Sequence, residues 1–168
     1  MADYRKVTIS EKAAVSKLSK IVGDVTIKDH ATVFFFATIR GDDAKIVIGE
    51  HSNVQESSTI HCSKGNPTIV GDYVTIGHNA ILHGCEIGDN TIIGMGSIIM
   101  DGAVIGKNSL VAAGSLVSKN KVFPEGSLIM GSPAKVKRPL TQEEIAHNLW
   151  SAQMCEKDGV EMTEQGVF

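Results

Sequence analysis

Aliphatic residues recur every six positions through the second half of the chain: Ile87, Ile93, Ile99, Ile105, Val111 and Val117. The second place of several of these hexads is glycine (Gly88, Gly94, Gly106). The fifth place is small or short (Thr91, Ser97, Ala103, Ser109, Ser115). Upstream the same step runs through Val70, Ile76 and Leu82, through Ile48, Val54 and Ile60, and through Ile21, Ile27, Val33 and Ile39. Between these runs the phase resets, with insertions at about residues 42–47 and 62–69 and a one-residue deletion near Glu86. A period of six matches neither a helix nor a simple alternating strand. It matches short strands joined by tight corners, each side contributing one inward aliphatic residue. Three sides make a triangular coil of about eighteen residues. The expected fold is an all-β solenoid, a parallel β-helix of about five coils stacked at roughly 4.8 Å. Glycine suits corners that need positive φ or close backbone approach.

Composition agrees with that narrow coil. Hydrophobic residues make up 42% of the 168, yet aromatics only 5%. The core must therefore be built from small β-branched side chains rather than rings. The length predicts a single domain over residues 1–168, with the β-helix at about 10–135. Thr141 and Glu144 form a capping-box pattern after Pro139, predicting a C-terminal α-helix over 141–157 that stops near Gly159. Ile145, Leu149 and Ala152 would face the coil, and 159–168 would be a tail. A net charge of −3 argues against nucleic acid or an anionic membrane as partner. No eighteen-residue apolar run and no secretory h-region are visible, so no membrane span and a cytoplasmic location are expected. The three cysteines, Cys62, Cys85 and Cys155, are odd in number and lack a CxxC, which points to free thiols.

The repeat register also places the six histidines. Hexads three apart lie above one another, so those starting at Ile39, Ile60 and Leu82 share one side. Their second residues, Arg40, His61 and His83, should stack in successive coils. Two imidazoles one strand spacing apart can share a metal ion at roughly 2.0–2.1 Å from each nitrogen. His78 is the third residue of the Ile76 hexad, on the preceding side, with Gln55 one coil below. It would reach the pair only from an adjacent subunit, as in a cyclic homotrimer. Three histidines with one open position is the layout of a catalytic zinc-type site. Arg40 and Asp42, within RGDD, would form an interface ion pair orienting it. His30, His51 and His147 read as polar surface residues at corners.

On these residues the chain resembles the gamma-class carbonic anhydrase-like branch of the hexapeptide-repeat, left-handed β-helix proteins. The matching segments are RGDD at 40–43, NVQ at 53–55, His61, VGDYVTIGHNAILHGCEIGDNTIIGMGSIIMDGAVIG at 70–106, and FPEGSLIMGSPAKVKR with the terminal helix. The left hand is implied by the resemblance alone, since the general preference for right-handed crossovers suggests the opposite. The resemblance implies a homotrimer with metal at each subunit interface, ligated by His61, His78 and His83. It implies that Arg40, Asp42 and Gln55 support the site or orient water or bicarbonate, with Asp43 an acidic group near the pocket. The implied reaction is reversible hydration of CO2 to bicarbonate by a metal-bound hydroxide, with Zn2+ the default and Fe2+ or Co2+ suited to the same imidazoles. Two features depart from the family pattern. The loop after the first ligand is only CSKGNP, without the extended acidic stretch of the prototype enzymes, and Ser151–Cys155 stands where relatives often carry Asn-Tyr. Two other functions compete. One is a coenzyme A-dependent acyltransferase with a single unligated histidine base, near GSPAK and the basic Lys135, Lys137 and Arg138. The other is a metal-stapled scaffold, with Phe34–Phe36 split between core and subunit packing.

Overall fold

The computed structural model describes residues 3–168; Met1 and Ala2 of the expected domain lie outside the described residues. The chain winds as a triangular parallel β-solenoid closed along one side by a helix. Each coil presents three faces in chain order, as in Thr59–His61 on the first, Thr68–Val70 on the second and Thr75–Ile76 on the third, and the third shows the depth of the stack. An eight-stranded sheet begins with Ala14–Val15, Thr32–Val33, Asn53–Val54 and Thr75–Ile76, and continues through Ile92–Ile93, Leu110–Val111 and Ser127–Gly131. Only its last strand, Ala134–Pro139, turns back antiparallel. Seven coils are therefore stacked, not about five. Ile9 and Val15 keep the six-residue phase before Ile21, and Phe123 and Ile129 keep it after Val117. They escape the pattern because the early hexads carry serine at the second place and one late hexad carries a ring.

The inward positions form the core. Ile27, Val33, Ile39, Ile48, Val54, Ile60, Val70, Ile76, Leu82, Ile87, Ile93, Ile99, Ile105, Val111, Val117 and Ile129 are all 2% exposed or less. Each such burial stabilises by roughly 1.5–3 kcal/mol before entropy is charged. The hexad glycines work by close approach. A Cβ on Gly94 would lie 2.5 Å from the Ala113 amide nitrogen, and one on Gly106 would lie 2.4 Å from that of Glu125. The corners with positive φ fall elsewhere, to other glycines such as Gly96 and Gly114 and to asparagines, Asn79, Asn90, Asn108 and Asn120. Asparagine tolerates that region because its short amide bonds locally to the backbone.

All three breaks in the repeat fall at one corner, between the first and second faces. The long strand Thr38–Ile48 bends through Gly41–Ala44, and Cys62–Pro67 forms a small hairpin closed by a Ser63–Asn66 bridge. Gly84–Cys85 carries the deletion. Everywhere else the coil is regular, so this corner is the one place with an altered surface.

The helix runs Gln142–Glu164, seven residues beyond the expected end. Thr141 caps it, with the Glu144 side chain returning to the Thr141 amide. Gly159 does not stop the helix. It is buried against Thr32 and Ala14, where a Cβ would come within 2.5 Å of the Thr32 methyl. Glycine there lets the helix lie close on the coil. The buried stripe is Asn148, Ala152 and Gly159, whereas Leu149 is exposed. Asn148 donates to the carbonyls of Asn90 and Ser109, an anchoring that an apolar pattern cannot reveal. The end of the chain is also fixed: Phe168 is buried edge-on against Phe34 and Phe35, while Phe36 is 63% exposed.

Gly94→Ala should destabilise the solenoid by about 1–3 kcal/mol through the clash with the coil above, whereas Gly96→Asn, at an open corner with φ +67°, should be nearly neutral. Thermal unfolding of the two variants checks this. The Arg138 guanidinium, then the capped Thr141 amide, hold the Glu144 carboxyl down at about 2. Since folding lowers this pKa, its contribution is present above the usual carboxylate range and is lost as pH falls from about 4.5 toward 2. Helix fraying followed by hydrogen exchange should increase over that window and not above it.

Candidate functional site

Pairing of the first-face strands sets the site. Arg40 is in register with His61, and His61 with His83. His61 and His83 end their strands at the irregular corner, one coil apart, with ring centroids 4.9 Å apart and planes at 69°. His61 Nδ1 and His83 Nε2 face each other at 3.0 Å. The opposite nitrogen of each ring meets a carboxylate: His61 Nε2 lies 2.8 Å from Asp42, and His83 Nδ1 lies 2.6 Å from Asp101. Each carboxylate accepts from the ring N–H and thereby directs a lone pair of the other nitrogen inward. Two lone pairs converging at 3.0 Å repel unless a cation or a shared proton sits between them. Two nitrogens bound tetrahedrally to one zinc ion lie about 3.4 Å apart, so the donor set suits a divalent ion with only slight adjustment.

The carboxylates are themselves held. Asp42 is drawn below its ordinary pKa, first by the His61 hydrogen bond and also by Arg40, with which it forms an ion pair. Burial acts to raise the Asp101 carboxyl. Hydrogen bonds from Lys119, His83 and Ser63 outweigh it and hold the group at about 2. Both remain ionised at neutral pH and keep their acceptor roles. Asp101 is a residue the sequence reading missed. Its signal was present, because the Ile99 hexad stacks directly on the Leu82 hexad. Asp101 then falls at the corner above His83.

His78 does not join this pair within the chain. It follows the third-face strand Thr75–Ile76, so the whole width of the first face separates it from His83. Five residues of extended chain span roughly 16 Å. Its surroundings nevertheless repeat the same design. His78 Nδ1 lies 2.6 Å from Glu56, and Gln55 Oε1 accepts from the His78 amide. The other ring nitrogen is left free, and the side chain is half exposed. Asp43 is exposed and lines a shallow groove with Lys6, Asp24 and Lys45 rather than meeting the imidazoles. Cys62 is turned into the coil, where it donates to the Ala44 carbonyl at 3.1 Å and fastens the inserted segment. Burial pushes the Cys85 thiol up to about 12. The Cys85 thiol is therefore protonated at neutral pH, while the Cys62 sulfur lies within 4.8 Å of the ligand atoms of Asp42 and His61. His30 and His51, expected as plain surface corners, instead share the Glu156 carboxylate of the helix.

A triangular β-solenoid of hexapeptide repeats, with carboxylate-anchored histidines at its irregular corner, defines a hexapeptide-repeat protein. The six-repeat bacterial transferase hexapeptide family model matches residues 84–119. The chain is 58% identical over 137 residues to a probable carbonic anhydrase of Methanocaldococcus jannaschii, covering 82% of this chain and 86% of that one. It is 42% identical over 144 residues to the mitochondrial gamma carbonic anhydrase 1 of Arabidopsis thaliana, covering 82% of this chain and 52% of that longer protein. The crystal structure of a putative acetyltransferase from Bacillus cereus matches with a TM-score of 0.89 at 40% identity, over 91% and 89% of the two chains. The chain belongs to the gamma-class carbonic anhydrase-like family of hexapeptide-repeat proteins.

Asp101→Asn removes the ionised acceptor on His83 and should weaken zinc binding by about 10- to 100-fold, as for other carboxylates behind a metal-bound imidazole. Competition with a chromophoric chelator measures it. An unchanged affinity would show that His83 needs no such anchor.

Proposed function

We propose that the protein catalyses the reversible hydration of CO2 at a metal centre built between subunits of a homotrimer. His61 and His83 of one chain and His78 of the next would hold the ion. The observation that carries this reading is the shared design of the three histidines. Each has one ring nitrogen against a carboxylate (Asp42, Asp101 or Glu56) and the other nitrogen available. The first face between His78 and the His61–His83 pair also carries exposed Ile81 and Ile98, an apolar strip suited to packing against another copy.

When bound, the ion supplies Lewis-acid activation of a water molecule, the nucleophile that adds to the CO2 carbon. Zn2+ is the first candidate, with Fe2+ or Co2+ suited to the same imidazoles. The chain's own residues do the rest. Asp42 and Asp101 fix the ring orientations of His61 and His83 through hydrogen bonds, and Glu56 lies against the His78 ring. Gln55 sets the position of His78 through its amide. The Arg40 guanidinium, paired with Asp42 and half exposed, offers N–H donors to the bicarbonate oxygens at the rim. Protons leave through rim carboxylates, with exposed Asp43 and the His78 partner Glu56 the candidates, or through buffer. The free thiols of Cys62, Cys85 and Cys155 support a reducing compartment such as the cytoplasm.

The coenzyme A-dependent acyltransferase reading is supported by the likeness to a putative acetyltransferase and by a cleft of about 370 Å3 between helix and third face, lined in part by His78 and His147. The anchoring carboxylates on three histidines favour metal over a lone general base. Metal analysis of anaerobically purified protein, with stopped-flow CO2 hydration before and after zinc or iron addition, tests the proposal. The expected result is about one ion per chain beyond what a His61→Ala, His83→Ala chain binds, and metal-dependent hydration. His78→Ala should lose both while retaining the monomer's fold by circular dichroism. A folded His78→Ala variant with full metal content would remove the cross-subunit assignment. Turnover of acetyl-CoA without metal would favour the alternative.

A further inference from the structure

A second group of metal-ligating side chains lies far around the coil from the His61–His83 pair. His30 and His51 occupy the same corner of successive coils, and Tyr73 takes the next position above them. All three have left-handed backbone, with φ of 60°, 57° and 57°. The corner continues upward as Asn90 and Asn108. Asparagine is the economical choice for that conformation, so two consecutive histidines are not dictated by the backbone. The rings stack, His30 on His51 at 4.8 Å and 2°, and His51 on Tyr73 at 4.5 Å and 9°. Both Nδ1 atoms point to one carboxylate on the helix. Glu156 places one oxygen 3.3 Å from His30 Nδ1 and the other 2.8 Å from His51 Nδ1.

We propose that His30, His51 and Glu156 form a second site for a divalent transition metal ion, one that fastens the C-terminal helix to the solenoid. Two imidazole nitrogens and a carboxylate oxygen are a complete protein ligand set for zinc, with a fourth position left to solvent. The three donor atoms already lie within 4.8 Å of one another. Bound donors around zinc stand about 3.4 Å apart, so modest side-chain rotation closes the set. His30 is 40% exposed and free to tilt, while His51 is held between His30 and Tyr73. One of these ligands belongs to the helix and two to the coil. An ion there therefore ties the helix to the coil near its close contact at Gly159, Ala14 and Thr32, adding to the Asn148 hydrogen bonds further along.

The test uses the full chain carrying His61→Ala and His83→Ala, which removes the site proposed above. Equilibrium dialysis of the metal-stripped protein should still find about one zinc ion per chain. Zinc at a hundredfold excess over its dissociation constant should raise the thermal midpoint by about 5–10 °C. Adding Glu156→Gln, which keeps the size of the side chain, should weaken zinc at least tenfold and cut the shift to about half or less. His30→Ala should do the same. A carboxylate that only clasps the helix would change the metal-free midpoint and leave the zinc-induced shift intact. The proposal fails if the doubly substituted chain binds no zinc, or if Glu156→Gln and His30→Ala leave its zinc affinity unchanged. It stands independently of the interfacial site, whose failure would appear as wild-type protein binding no more zinc than the doubly substituted chain.

Discussion

Everything in this molecule depends on the hydrogen-bonded ladder between coils. Each strand can bind only to the strand one coil above and below, at the spacing the backbone imposes. A slip of one residue would turn the aliphatic ladder outward, so the buried Ile and Val columns fix the register absolutely. That register then fixes every outward side chain as well. Thr38, Thr59 and Ile81 share one row, and Arg40, His61 and His83 share another. The position of the two histidines is a consequence of the core packing of Ile60 and Leu82, the residues just before them.

The same ladder explains why the site lies where it does. A regular hexad leaves nothing but a tight corner, with glycine forced by the neighbouring coil. Only at the corner between the first and second faces do the insertions at Gly41–Ala44 and Cys62–Pro67 widen the chain path. Asp42 enters from the first insertion and Asp101 from the coil above, and each orients one imidazole. The buried Cys62 thiol binds the first insertion to the second. The breaks in the repeat thus bring the carboxylates to the imidazoles, and the repeat itself is the rigid frame that holds such breaks in position.

Much of this was legible in the sequence, because a six-residue period converts position in the chain into position in space. The stacking of Arg40, His61 and His83 and the separation of His78 from them follow from counting hexads, while the Arg40–Asp42 pair, read from RGDD as an interface contact, closes within one chain. The coil number did not follow, since the hexads of Ile9, Val15, Phe123 and Ile129 keep the phase without glycine at the second place, and one of them carries a ring. The helix was misjudged for a different reason. Its contact with the coil uses Asn148 hydrogen bonds and the close fit of Gly159, and neither produces an apolar stripe. The Glu156 contacts to His30 and His51 were hidden for the same reason, as nothing in the sequence couples residue 156 to residues 30 and 51. Asp101 was recoverable by extending the hexad count one coil further.

The claim that matters most is that two histidines of one chain are completed by His78 of another. Mixing two defective chains tests it without ambiguity. His78→Ala chains keep His61 and His83; chains carrying His61→Ala and His83→Ala keep His78. Each alone should be without interfacial metal and without CO2 hydration. Unfolded together in equal amounts and refolded, they should recover about one quarter of the wild-type hydration rate, the fraction of interfaces that draws an intact contribution from both sides of a cyclic trimer. No recovery from a mixture shown to form mixed trimers would contradict the account.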